Sequence, residues 1–184
     1  MTSLVHYFAY GSNMSRMRLK MRVSSAEPLG IATLQDHRLM FHKIGKDGSA
    51  KCDAWRTGES RDSVHGVLFL LERDQLAVLD HIEGTGAGYE RCSVVVADSS
   101  GRTMRAETYR ANRIDPALRP YTWYREHVLR GALAAGLRHD YVAAIRAVPA
   151  EPDPDRQRHA REMAIYREGR ISRQPRSSYP SPGS

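Results

Sequence analysis

Between residues 3 and 110 the chain is cut into short extended segments, and few of them are followed by a stretch long enough for a helical crossover. Extended segments are expected at 3–10, 28–34, 37–44, 50–56, 64–71, 90–97 and 102–110, bounded by turn formers such as Gly45-Lys46-Asp47-Gly48 and Asp98-Ser99-Ser100-Gly101. Parallel sheets need a crossover between successive strands, and only 14–22 and 73–82 read as helices within this stretch. The pattern predicts an α+β fold whose sheet is mostly antiparallel and closed or strongly curled, with helices attached. The run Val64-His65-Gly66-Val67-Leu68-Phe69-Leu70-Leu71 is almost continuously apolar and reads as a strand buried on both faces. Two further helices are expected, Tyr121 to Ala135 closed by Gly136 and Asp140 to Ala147 closed by Pro149.

A chain of 184 residues with 41% hydrophobic content suits one buried core and is short for two domains. We read residues 1–150 as that domain and 151–184 as a charged tail. The tail opens on the stiff linker Glu151-Pro152-Asp153-Pro154-Asp155, forms a polar helix over 156–168, and ends in Ser172 to Ser184 with too little apolar content to fold. No apolar run reaches the roughly 18 residues that span a bilayer, and Met1 to Val5 lacks the features of a secretion signal. Cys52 and Cys92 stand far apart with no CxxC pair, which suggests neither a disulfide framework nor a metal site. A cytoplasmic protein without membrane contact is expected.

The net charge of +7 raises the question of nucleic acid. Only Arg16, Arg18, Lys20 and Arg22 come close together, alternating with Met17, Leu19 and Met21, and they read as a solvated helix face. Nucleic-acid binding is therefore not expected. The sequence does not set the oligomeric state, and a homodimer is compatible with it.

Two stretches carry chemistry. In Tyr7-Phe8-Ala9-Tyr10-Gly11-Ser12-Asn13-Met14 an apolar strand stops at a Gly-Ser-Asn turn, which exposes backbone N–H groups suited to a carboxylate or an oxyanion. Gly11 permits close approach, and Ser12 and Asn13 add hydroxyl and amide donors. In Leu79-Asp80-His81-Ile82-Glu83-Gly84-Thr85-Gly86-Ala87-Gly88-Tyr89-Glu90-Arg91, Glu83 falls on the stripe of Leu76 and Leu79 if the helix extends that far. A carboxyl at the end of a buried stripe is a candidate proton carrier, whereas a frayed helix would leave it in water. Asp80 and His81 read as exposed, and the glycine loop 84–88 as able to lie close to a ligand.

The order of these blocks, Tyr-Gly-Ser-Asn, then Asp-x-x-Glu-Gly, then Gly-Tyr-x-Arg, resembles the γ-glutamylcyclotransferase family. The stretch Tyr124-Arg125-Glu126-His127-Val128 through Gly131-Ala132, Gly136-Leu137 and Asp140-Tyr141 is similar to the family's C-terminal helices. The resemblance implies a compact β-barrel with flanking helices and a cavity beside the Tyr-Gly-Ser-Asn turn. It implies that Tyr7, Phe8, Ala9, Tyr10, Gly11, Ser12 and Asn13 line the glutamyl end of a substrate, with the N–H groups of Gly11 and Ser12 holding it. It further implies that Glu83 is the acid/base, that Tyr124 contacts substrate and that Tyr89 lies near the acid.

The implied reaction is cofactor-independent: the α-amine of a γ-glutamyl compound attacks its own side-chain carbonyl, giving 5-oxo-L-proline and a free amine. The partner implied is that small molecule. The alternative is a non-catalytic member of the same fold that binds a small acidic metabolite or a protein. The charged loop from Gly45 to Ser63, with Lys46, Lys51, Arg56 and Arg61, leaves open which group is attached to the γ-carbonyl.

Overall fold

Seven strands and five helices account for most of residues 3–171, which are described by a computed structural model of the chain. The strands are β1 Leu4–Ala9, β2 Glu27–Gln35, β3 His37–Ile44, β4 Ala50–Arg56, β5 Ser63–Glu72, β6 Tyr89–Asp98 and β7 Thr103–Ala111. The helices are α1 Arg16–Arg22, α2 Leu76–Glu83, α3 Thr122–Ala135, α4 His139–Ala147 and α5 Arg156–Ile171. Ser172 to Ser184 lies outside the described residues.

Five strands close into a barrel in the order β1-β5-β2-β6-β7. Every seam is antiparallel except the last, where β7 meets β1 in parallel at Tyr7 and Glu107. The strand β5 is hydrogen-bonded on both edges, from Ala9↔Val67 on one side to Ile31↔Val67 on the other. Its Val67, Leu68 and Phe69 are at most 5% exposed in succession, so both faces are covered, as the apolar run predicts. Burial of each such side chain contributes about 1.5–3 kcal/mol. Strands β3 and β4 leave the barrel and pair only with each other, as a separate hairpin that packs over β7. Strand pattern alone does not separate that hairpin from the barrel, because pairing across the barrel is long-range.

The helices place the functional turn. A single 3-10 turn, Ser12–Met14, follows β1, and Ser15 then caps α1 by accepting the Arg18 N–H at 3.4 Å. The helix α2 ends on Glu83, and Gly84 caps it at φ +69°, a conformation that a residue with a Cβ rarely adopts. Along α3, Trp123, Tyr124, His127, Val128 and Ala132 are buried at helical spacing, against the 12–14 turn and α4.

The segment after α4 packs on this body. Asp153 is 6% exposed and accepts from Trp123 Nε1 at 2.7 Å and from Arg158 Nε at 2.6 Å. On α5, Glu162 pairs with Arg18 and with His127 at 3.0 Å, and Tyr166 meets His127 at 2.7 Å. Among the described residues no helix is long and apolar enough to cross a membrane.

Candidate active site

The end of β1, the turn behind it, the last residue of α2, the first of β6 and the first turn of α3 converge on a narrow recess. Five tyrosines, Tyr7, Tyr10, Tyr89, Tyr109 and Tyr124, line it together with Gly11 to Asn13, Cys52 and Glu83. Its volume is about 30 Å³, enough for one small polar group. Burial, the largest cause, raises the pKa of Tyr7, Tyr10, Tyr89 and Tyr124, so these phenols stay neutral and serve as hydrogen-bond groups. For Tyr7 the Glu83 carboxylate adds to that effect.

Glu83 is held by two donors. Asn13 Nδ2 donates to Glu83 Oε1 at 3.0 Å and to the Tyr7 hydroxyl at 2.9 Å. Arg22 Nη1 donates to the same Oε1 at 3.1 Å and to Asn13 Oδ1 at 2.9 Å. The Arg22 and Glu83 side chains are 20% and 17% exposed, so the pair is mostly shielded from water. Among the described residues nothing donates to Oε2, the second carboxylate oxygen, and Glu83 lines the recess with that oxygen uncommitted. Because the Tyr7 oxygen accepts from Asn13, its own proton is available to a ligand.

The tyrosine hydroxyls also fasten the hairpin. The Cys52 N–H on β4 donates to the Tyr124 hydroxyl at 3.0 Å, and the Tyr89 hydroxyl donates to the Cys52 carbonyl. Tyr109 donates to Asp80 Oδ1 at 2.9 Å, one helical turn before Glu83, and Arg91 holds the other Asp80 oxygen at 2.8 Å. A Cβ on Gly11 would stand 3.1 Å from Cys52 Cβ and 3.4 Å from the Tyr124 hydroxyl oxygen, so a side chain here would press on β4, at an ordinary φ of −109°.

The recess opens outward. An outer cavity of about 290 Å³ shares Ser12, Glu83, Tyr89 and Tyr124 with it. Six cationic side chains and three carboxylates line the outer wall. Three of the cations, Lys43, Lys46 and Lys51, come from the β3–β4 hairpin and its turn.

Of the residues expected at the site, Tyr7, Tyr10, Gly11, Ser12, Asn13, Glu83, Tyr89 and Tyr124 line the recess. Phe8 and Ala9 do not: they are 0% and 1% exposed, and their side chains are used up in the core. The Phe8 carbonyl instead accepts from Thr108 Oγ1 at 2.8 Å. In the turn, the carbonyls of Gly11 and Ser12 accept from the N–H groups of Met14 and Ser15 at 3.0 and 3.3 Å. The reading of Arg16 to Arg22 as one solvated face is corrected. Arg18 and Arg22, four residues apart, turn inward to Glu162 and Glu83, while Arg16 and Lys20 stay outside on Glu27.

Asp80, also read as exposed, is partly buried and positions Tyr109. Its spacing of three from Glu83 on one helix face is the signal that could have found it. Cys52 and Tyr109 give no such local signal, because the barrel brings β7, and the hairpin packed over it brings β4, to the turn. Among the described residues no cluster of three or more His, Cys, Asp or Glu could hold a metal ion.

The same arrangement of elements occurs in known proteins. The model of the AIG2-like family matches residues 63–145. The human γ-glutamylcyclotransferase is 30% identical over 149 residues, which is 77% of this chain and 77% of that protein. The chain belongs to the γ-glutamylcyclotransferase family. The bovine γ-glutamylcyclotransferase is 28% identical with the same coverage. A solved structure named as a γ-glutamyl cyclotransferase superposes with a TM-score of 0.78 at 24% identity, covering 90% of this chain and 99% of that one, so the family's fold extends over nearly all of both.

Proposed function

We propose that the protein cyclises a γ-glutamyl amino acid, peptide or amine to 5-oxo-L-proline and the free amine, with Glu83 relaying the proton. Membership of the family supports the reaction class, since its curated relatives are named γ-glutamylcyclotransferases. The observation that carries the residue assignment is the state of Glu83. One of its oxygens is fixed by Asn13 and Arg22 and the other is uncommitted among the described residues, on a side chain that lines both the recess and the outer cavity.

The chemistry balances without an outside reactant. The α-ammonium gives one proton to Glu83, and its nitrogen bonds to the γ-carbonyl carbon. The tetrahedral oxyanion is held by donors of the Gly11 to Asn13 turn and the Tyr7 hydroxyl. The bond from that carbon to the departing nitrogen then breaks. The attacking nitrogen sheds two protons in all and the departing nitrogen gains two, which is the traffic a single carboxyl beside both can carry. Both reacting groups belong to one molecule, so much of the protein's work is to hold the folded-back conformer. A recess of about 30 Å³ takes one end group of the glutamyl unit, and the rest of the substrate occupies the outer cavity.

The test is incubation with a panel of γ-glutamyl dipeptides and amines in heavy-oxygen water, scored by mass spectrometry. Cyclisation gives unlabelled 5-oxoproline and the free amine. Labelled glutamate would mean hydrolysis, and tight binding without any product would favour the non-catalytic alternative.

A further inference from the structure

The cations on the outer wall are unequal. Arg22 is paired with Glu83, Arg18 with Glu162, Lys51 with Asp47 at 2.7 Å and Arg158 with Asp153 at 2.5 Å. Lys43 and Lys46 are different. Among the described residues neither side chain takes part in an ion pair or hydrogen bond, and both line the cavity. Lys43 is 5% exposed, and although the Glu83 and Asp47 carboxylates act on it from a distance, no acceptor among the described residues meets its ammonium directly. Its Nζ lies 4.5 Å from the centroid of the Tyr89 ring, at the mouth of the recess.

The glycine loop behind Glu83 sets where the two ammoniums stand. A Cβ on Gly84 would lie 3.5 Å from Lys46 Nζ, and one on Gly88 only 2.8 Å from Lys43 Nζ. Gly88 thus leaves room for the Lys43 ammonium, while Lys46 lies against Gly84 at the other end of the loop. An ammonium is a single point charge without the fork of an arginine, so two of them can each hold one carboxylate. In the reaction proposed above, the glutamyl γ-carbonyl is held at the 11–13 turn, and both lysines face the part of the substrate that lies beyond it in the outer cavity.

We propose that the outer cavity selects γ-glutamyl compounds whose departing amine carries two carboxylates, such as a γ-glutamyl dipeptide ending in a dicarboxylic amino acid, with Lys43 and Lys46 each taking one. This inference rests on the cyclotransferase reading. Burial lowers the pKa of Lys43 against the pull of the Glu83 carboxylate, and a ligand carboxylate in direct contact adds to that counter-charge.

The experiment compares kcat/KM for γ-glutamyl-glutamate with that for the isosteric, singly charged γ-glutamyl-glutamine. Loss of one charge-assisted contact corresponds to about tenfold, so the wild type should prefer the glutamate compound by about that factor. Lys46→Gln alters only an exposed side chain, and Lys43→Met tests the buried one. Removal of both lysines should bring the ratio of the two compounds close to one. Equal turnover of both compounds by wild type, a preference for glutamine, or a preference that survives the double substitution overturns this specificity while leaving the cyclotransferase reading intact. Absence of 5-oxoproline from every compound overturns that reading and this inference with it.

Discussion

Replacing Arg22 by Met removes the only cation that touches Glu83 among the described residues and leaves a carboxylate 17% exposed beside five tyrosines. At 3.1 Å and an effective dielectric of about 20 the gross attraction is about 5 kcal/mol, most of which offsets desolvation of the two ions. Arg22 Nη1 also serves Asn13, so the substitution deletes two charge-assisted hydrogen bonds with one atom. We expect a net loss of about 2–3 kcal/mol in stability, read by urea unfolding followed by circular dichroism. Asn13 then loses its acceptor contact and no longer fixes Oε1, so kcat/KM for a γ-glutamyl dipeptide should fall by about 10–100-fold. Arg22→Lys keeps the charge on a shorter side chain and should recover part of the stability but less of the rate. If Arg22→Met unfolds within about 0.5 kcal/mol of wild type and turns over within twofold, Arg22 is the solvated residue that its neighbourhood in the sequence suggests.

Two further outcomes follow from the packing. Gly11→Ala puts a Cβ 3.1 Å from Cys52 Cβ, so the turn or β4 must shift by a few tenths of an ångström. We expect kcat/KM to drop at least about tenfold with a smaller loss of stability, and a fully active, equally stable variant would reject the close-packing assignment. Acid should loosen the docking of α5. Burial holds His127 down to about 4 from 6.5, and, against burial, the His127 hydrogen bond and Arg18 hold Glu162 down to about 2 from 4.5. Both folded values lie below the unfolded ones, so stability is complete above pH 6.5. It falls first through the histidine window, from pH 6.5 to 4, by up to about 3 kcal/mol, and then through the glutamate window. Urea titrations at pH 7.5 and 4.5 measure this, and His127→Gln should flatten the upper window. An unchanged slope in that variant contradicts the assignment.

The strands and helices were legible because their punctuation is local. Gly45-Lys46-Asp47-Gly48 ends β3, Gly84 and Gly136 end α2 and α3 in the left-handed conformation, and each is visible in the sequence. The extension of α2 to Glu83 was legible only as a condition, and Gly84 at φ +69° resolves it in favour of the helix. The inward turn of Arg18 and Arg22 was missed because four basic residues at alternate positions look uniform, whereas helical spacing divides them into two faces. Met17 and Met21, 42% and 73% exposed, occupy the solvent side that hydrophobicity alone would give to the arginines. Cys52, Tyr109 and the separate hairpin depend on contacts between distant parts of the chain, and no local pattern encodes those.

Glu83→Gln tests the account most directly, because it keeps the size and hydrogen-bonding shape of the side chain and removes only its capacity to carry a proton. With the fold intact by circular dichroism, release of 5-oxoproline from a γ-glutamyl dipeptide should slow at least about 100-fold. A rate close to that of wild type would contradict the account.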